Sequence, residues 1–518
     1  MNQEKNRLAA QGIFWGYVNL AVKSILPFIS RTIMIYTIGA EYIGLDSVFT
    51  SILQILSFAE LGFGNVMVYS MYKPIAEQNT EKICSLLNLY KRLYRIIGCI
   101  TIVVGVAFIP FLENFCSAEK PGNINIYILY VIYLINTSVS YLLFTYKESL
   151  LSAHQMYYVS SNINTITMIC KNVAQMLILL LFHNYYVYVI VIPLSTILNN
   201  LGVAVTVKKI FPLYLPKGKV DRDTAKDIRK NVLAGLGHKL GPSATTSIDN
   251  LVVSSYLGLT MAAIYTNYNY ILSLVSMISS QVFNSFVAGI GNSIITETRE
   301  KNYEDFKRFT FINCLLAGWC TICLCCMSQN FMWIWVGNRR GANFVLDLRT
   351  TVIFGIMFYV QQIRAIVQVY KSAAGMWYAD RWKPYISTVI NCILDIALVG
   401  KIGITGILLS TIFARAAIGF PWETSVIFKE FFKQKQLPYY GTILKYTCVT
   451  VVIGIITYGV CFFLPNQNMV CLIFRGIICV IIPFCGYYLI YMKNSYMREV
   501  KKTVIGIFQK IKKVQGNR

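Results

Sequence analysis

Long apolar stretches run through the whole chain, and that pattern constrains its fold more than any other feature. They lie near 12–36, 42–72, 94–115, 124–145, 160–182, 187–207, 231–257, 261–290, 308–330, 345–370, 385–400, 404–428, 442–464 and 469–492, divided by short polar connections. A helix of about 20 apolar residues crosses the hydrocarbon layer of a bilayer. Such a chain buries its surface in lipid, and composition agrees. Of 518 residues, 56% are hydrophobic and 14% charged, against about 25% charged in soluble domains; the mean hydropathy is +0.55. The expected fold class is all-α: a polytopic membrane protein with about fourteen transmembrane helices. The opening MNQEKNRLAAQG is polar and leads into the first apolar stretch without a small-residue cleavage site. That stretch is therefore expected to remain as a spanning helix.

The net charge of +24 does not point to nucleic acid, because the basic residues cluster between the apolar stretches. The N-terminus, the connections near 73–95, 146–160, 208–230, 291–308, 371–383 and 429–437, and the tail from 493 hold about 34 Lys and Arg. The opposite connections hold Lys120, Arg339, Arg340 and Lys401. Positive charge flanks spans on the cytoplasmic side, so both termini are expected there, in a multi-pass protein of a bacterial cytoplasmic membrane.

Fifteen cysteines do not form a disulfide framework, since most sit inside apolar runs, where cysteine behaves as a small hydrophobe. Cys323, Cys325 and Cys326 are close in sequence, but with three His in the chain no partner set completes a metal site. No metal and no bound cofactor are expected. A phosphate-loop motif is absent from the sequence, which argues against direct ATP drive.

Residues 1–207 and 231–428 share an order of span, short outer turn, span and basic inner loop. Ile38-Gly39 aligns with Leu257-Gly258, and Tyr90-Lys91-Arg92 with Phe306-Lys307-Arg308. The expected organisation is an N-lobe of six helices (1–207), a cytoplasmic linker (208–230), a C-lobe of six helices (231–428), two appended helices (429–492) and a basic tail (493–518). Two repeated halves around a central site suit alternating access.

Ionisable residues deep in a membrane are costly and face cavities or partners. Lys23 and Arg31 share one side of the first helix, with Pro27 between them. Lys171 interrupts the fifth helix, and His238, Lys239 and Asp249 punctuate the seventh. Gln361, Arg364 and Gln368 form a polar stripe on the tenth; Asn391 and Asp395 lie one turn apart on the eleventh; Arg415 sits mid-way along the twelfth. Arg349 and Arg475 lie near outer ends, where long cations reach headgroups. Lys23, Arg31, Lys239, Arg364 and Arg415 are the candidate lining of a cationic cavity. Asp249, Asp395, Glu60 and His238 are candidates for coupling or charge pairing. Asp395 has a second reading, as the neutralising partner of Arg364 or Arg415. A cationic cavity suits an anion, and arginine's planar fork suits phosphate.

The stretches Tyr36-Thr37-Ile38-Gly39-Ala40-Glu41-Tyr42-Ile43-Gly44-Leu45 and Leu56-Ser57-Phe58-Ala59-Glu60-Leu61-Gly62-Phe63-Gly64 resemble the polysaccharide-exporter branch of the multidrug/oligosaccharidyl-lipid/polysaccharide (MOP) flippase superfamily, as does Tyr72-Lys73-Pro74 with Tyr90-Lys91-Arg92. The resemblance is specific over residues 1–110 and diffuse beyond. It implies a MATE-like fold of two six-helix lobes and, from Wzx-type O-antigen and capsule flippases, a cargo of undecaprenyl-diphosphate-linked oligosaccharide. It also implies a polysaccharide polymerase and chain-length protein as partners, and Arg31 then Lys23 as the nearest matches to phosphate-carrying residues of the first helix. H⁺ or Na⁺ coupling stays open. The rivals are an ion-coupled drug or metabolite antiporter of the same fold, a lipid II flippase, and a membrane polymerase or ligase. The last would need a large outer loop, and the longest here is about Phe331–Phe344.

Overall fold

The computed structural model describes residues 2–57, 63–116, 121–122, 124–284, 287–376, 378–465, 468–499 and 501, without the side chains of 2–18, 20, 63, 65, 230–231, 233–236, 238–239, 282, 284 and 287–288. Among the described residues the chain is helical, with no strand. The main helices are α1 (Asn2–Thr37), α2 (Glu41–Leu56), α3 (Phe63–Ala76), α4 (Thr80–Ala107), α5 (Ile126–Leu142), α6 (Tyr157–Phe182), α7 (Tyr185–Ile210), α8 (Arg222–Asn284), α9 (Arg299–Met332), α10 (Leu348–Ile363), α11 (Ala365–Ala373), α12 (Lys383–Ile402), α13 (Ile404–Phe413), α14 (Leu437–Phe462) and α15 (Met469–Tyr491). Each of the fourteen apolar stretches is helical over most of its described residues. Among the described residues nine helices are long and apolar enough to cross a membrane by themselves, or eleven when two bent pairs count as single spans. The 42–72 stretch is not among them: on either side of residues 58–62, which lie outside the described residues, it forms α2 and α3, of 16 and 14 residues. The protein is a multi-pass membrane protein.

Helix ends follow local chemistry. Asn79, Asn125, Asn184 and Asn468 each accept a backbone N–H from the first turn of α4, α5, α7 and α15, which satisfies a donor the helix leaves open. Glycine marks the reversals between adjacent spans. Gly39 (φ 135°), Gly258 (φ 87°) and Gly403 (φ 60°) lie where a side chain is strained. Gly258 breaks α8 into two arms. Gly39 and Gly258 are the two glycines aligned by the repeat.

Two compact units emerge: residues 1–267 with 384–407, and residues 268–383 with 408–518. In the first, Met71, Leu86, Tyr90, Tyr141, Leu150 and Val207 form a buried core with Ile228 and Val232. In the second, Phe306, Tyr370, Phe428, Phe432 and Tyr439 form an aromatic core with ring centroids 5.0–6.0 Å apart. Tyr90 and Phe306, paired by the repeat, are both fully buried, each at the centre of its own core. Outward faces are apolar too: Leu181, Phe182, Leu198, Val451, Ile455, Ile473 and Phe474 are exposed. On a soluble protein such a belt would aggregate; here acyl chains cover it.

Candidate functional site

Within the first unit a cavity of about 530 Å³ opens among α1, α2, α5, α6 and α7, a volume in the range of small-molecule sites. Its charged residues are Arg31, Asp46 and Lys171, and Pro27, Gln54, Asn136, Asn172 and Gln175 add a polar and kinked wall. Arg31 reaches the cavity one turn after Pro27, whose missing N–H opens the helix ladder at that point. Its Nη1 donates to Asn267 Oδ1 at 3.1 Å and to the Thr266 carbonyl at 3.4 Å. Asp46 accepts from the Tyr133 hydroxyl, which lies 3.3 Å from the Tyr185 hydroxyl. Tyr185 in turn donates to the Tyr42 carbonyl at 3.3 Å. Both Arg31 and Lys171 act electrostatically on Asp46. Among the described lining residues two cations stand against one acid, a formal excess of one positive charge.

The predicted site residues fare differently. Arg31 lines the cavity; Lys23 is exposed on α1 and does not. Lys239 and His238 lie in α8, with side chains outside the described residues, and Glu60 falls wholly outside them. Asp46 and Lys171 join Arg31 in the cavity. Lys171 carries a visible signal, a lone cation in an apolar run. Asp46 carries the same signal in weaker form, close to the start of its stretch, and sequence reasoning passed over it.

Asp249 and Asp395 come into one neighbourhood. Both are buried, at 2% and 0% exposure, and both act electrostatically on Cys392. The Tyr265 hydroxyl donates to Asp249 Oδ2 at 3.1 Å, which links the two arms of α8 across Gly258. Asn391 Nδ2 reaches Asp395 Oδ1 at 3.5 Å. The α8 and α12 backbones are held close by Thr388, whose hydroxyl donates to the Gly241 carbonyl at 3.2 Å.

Arg364 finds its acid in Glu423, which sequence reasoning had not singled out. Arg364 Nε and Nη2 donate to Glu423 Oε2 and Oε1 at 3.0 and 2.8 Å, and Gln368 Nε2 adds a bond at 3.1 Å. Lys383 pairs with both Glu423 and Asp380, and Asp380 also pairs with Lys371. All five charged side chains are at most 12% exposed. The polar stripe on 345–370 thus serves partners on the following helices, since Gln361 Oε1 accepts from Arg415 Nη1 at 2.8 Å. Gly419 gives Arg364 its room, because a Cβ there would stand 3.0 Å from Nη2. Lys371 and Lys383, counted from the sequence in a basic cytoplasmic connection, are buried, and two acids neutralise them. Arg475, expected to reach outward to headgroups, is buried at 5% exposure and donates to the Cys326 and Leu464 carbonyls.

Comparison with solved structures shows the fold. The chain is similar to the lipid II flippase MurJ in an inward closed conformation, at 16% identity and a TM-score of 0.60, over 91% of this chain and 98% of that one. It is similar to an inward-facing multidrug resistance MATE family transporter of the MOP superfamily, at 14% identity and a TM-score of 0.58, over 78% and 95%. A MATE transporter from Vibrio cholerae gives 13% identity and a TM-score of 0.52, over 80% and 96%. These relatives are flippases and transporters, not enzymes. No curated protein sequence matches the chain. The family model described as "Polysaccharide biosynthesis protein" matches residues 9–288, more than half of the sequence. With the fold of the MOP superfamily and a family match of that extent, the chain belongs to the polysaccharide biosynthesis protein family.

Proposed function

We propose that this protein is a flippase carrying a polyprenyl-diphosphate-linked oligosaccharide from the cytoplasmic to the outer leaflet for surface polysaccharide synthesis. The observation that carries the reading is the cavity wall, whose charged residues among those described are Arg31, Lys171 and Asp46. The diphosphate pairs with Arg31 and Lys171, the sugars occupy the polar cavity, and the polyprenyl tail stays in lipid. Alternating access moves the cargo with no bond made or broken. Family membership supports a role in polysaccharide synthesis, and the polymerase and chain-length proteins are the expected downstream partners in a bacterial cytoplasmic membrane. An organic-cation exporter would want the opposite sign at its cavity wall.

An inside-negative potential helps to expel a dianion by about 2.3 kcal/mol per charge per 100 mV, a benefit that shrinks when protein cations travel with the cargo. A coupling cation restores the drive. Asp249 and Asp395, buried together with the Asn391 amide beside them, are its proposed site, and two neighbouring carboxylates favour taking up H⁺ or Na⁺ over staying doubly charged.

The test is reconstitution in liposomes with a labelled polyprenyl-diphosphate saccharide in one leaflet. Protein-dependent transfer, lost in Arg31→Ala, is the expected result. Transfer of a peptide-bearing lipid II saccharide in preference to a peptide-free one would assign the protein to lipid II instead. Efflux of a cationic drug, abolished by Asp249→Asn and indifferent to Arg31→Ala, would replace the flippase by an antiporter.

A further inference from the structure

Three thiols from three helices of the second unit converge in its apolar interior. Cys326 on α9, Cys461 on α14 and Cys479 on α15 are all buried, and their sulfurs lie within 4.8 Å of one another. Ile322, Ile453 and Tyr487 surround them. Cys323, one turn before Cys326, turns to the same place and its sulfur sits 3.6 Å from the Cys479 carbonyl. Three sulfurs held about 2.3 Å from a central ion stand about 4 Å apart, so small side-chain rotations bring these thiols to ligating distance.

Arg475 supplies a second, independent observation. It is buried and donates to the Cys326 and Leu464 carbonyls at 3.2 and 2.6 Å, and among the described residues no carboxylate pairs with it. Its Nε has no hydrogen-bond partner among the described residues, and it acts electrostatically on Cys461. A buried cation without a counter-charge is strongly destabilising. Three thiolates on a divalent ion, or two on a monovalent one, carry one net negative charge and cancel the guanidinium. Thiolates in an apolar pocket select soft ions with filled d shells.

We propose that Cys326, Cys461 and Cys479, with Cys323 in reach as a fourth donor and Arg475 as counter-charge, form a binding site for Zn²⁺ or Cu⁺ that staples α14 and α15 to α9. Each thiol releases its proton to solvent as its sulfur binds the ion, so no oxidant or reductant is needed and binding tightens as pH rises. The site is built from residues of the second unit and does not depend on the reading of the cargo.

The experiment uses the full-length protein in detergent under reducing conditions, with Cd²⁺ as a spectroscopic probe and excess ion removed by desalting. Retention of about one ion per chain with an ultraviolet thiolate-to-metal absorption band is expected. The Cys326→Ser/Cys461→Ser/Cys479→Ser variant loses both signals, whereas Cys99→Ser/Cys485→Ser, which removes two exposed thiols, keeps them. Should the triple variant misfold, Arg475→Met keeps every sulfur and is expected to weaken Cd²⁺ binding by about tenfold or more, as loss of an outer partner does elsewhere. A wild-type protein that retains no Cd²⁺, or variants that retain as much of it with the same band, would overturn the proposal.

Discussion

Neutralising Glu423 gives the sharpest test of the ion network in the second unit. Its carboxylate accepts from Arg364 twice, from Gln368 and from Lys383, and is 0% exposed. Glu423→Gln keeps the shape but removes the charge, which leaves Asp380 as the acid that the described ion pairs set against Lys371 and Lys383 and leaves Arg364 without Glu423. Breaking a buried ion pair on one side costs about 3–5 kcal/mol, because the stranded cations cannot reach water. At about 2.1 cal/mol/K per residue, cooperative unfolding of a chain this long carries about 1.1 kcal/mol/K, so a loss of about 4 kcal/mol lowers Tm by about 4 °C. Glu77→Gln is the control, since Lys73 and Glu77 pair at 3.8 Å with side chains 84% and 52% exposed; such pairs contribute about 0–1 kcal/mol. The assay is thermal unfolding of detergent-solubilised protein at one scan rate. Lys383→Met in the Glu423→Gln background should recover part of the loss, since it removes one stranded cation. A Glu423→Gln shift no larger than that of Glu77→Gln would refute the reasoning.

Further outcomes follow from the same geometry. Arg31→Ala and Lys171→Ala should each slow saccharide-lipid transfer in liposomes by about 10- to 150-fold, the equivalent of about 1.5–3 kcal/mol for a lost charge-assisted bond, while Lys23→Ala, on an exposed position, should change it less than about threefold. Asp395→Asn should leave downhill transfer in place but abolish its acceleration by an imposed H⁺ or Na⁺ gradient; retained acceleration would rule out Asp395 as part of the coupling site. Gly44→Ala should destabilise the first unit, because its Cβ would stand 2.1 Å from the Leu259 carbonyl oxygen. Backbone cannot rotate away as a side chain can, so a loss of about 1–3 kcal/mol is expected in thermal unfolding.

Much of the fold was legible because the bilayer enforces it. Lipid offers no hydrogen bonds to the backbone, so every long apolar stretch must be helical, and its reversals must fall where polar or glycine residues allow. Gly39, Gly258 and Gly403 could be marked in advance on that ground. The burial of Tyr90 and Phe306 was legible too, because an aromatic residue followed by two basic ones buries the ring and leaves the charges nearer the surface. Arg31 could be found because a cation beside Pro27 in an apolar helix has few inexpensive places to go.

Partnership was not legible, because it depends on which helices meet. Sequence offered Asp395 as a partner for Arg364 or Arg415; Arg364 pairs with Glu423 instead, and Asp395 lies in one neighbourhood with Asp249. Lys371 and Lys383 read as solvated loop residues until Asp380 and Glu423 were found against them. Asp46 gained meaning only when α2 brought it to the wall shared with Arg31 and Lys171. The sequence by itself determined that the chain crosses a membrane many times, where its spans reverse, and that some charges must lie deep. The tertiary structure alone decided which of those charges neutralise one another and which are left facing a cavity, because Coulomb energy falls with distance between side chains and not with distance along the chain.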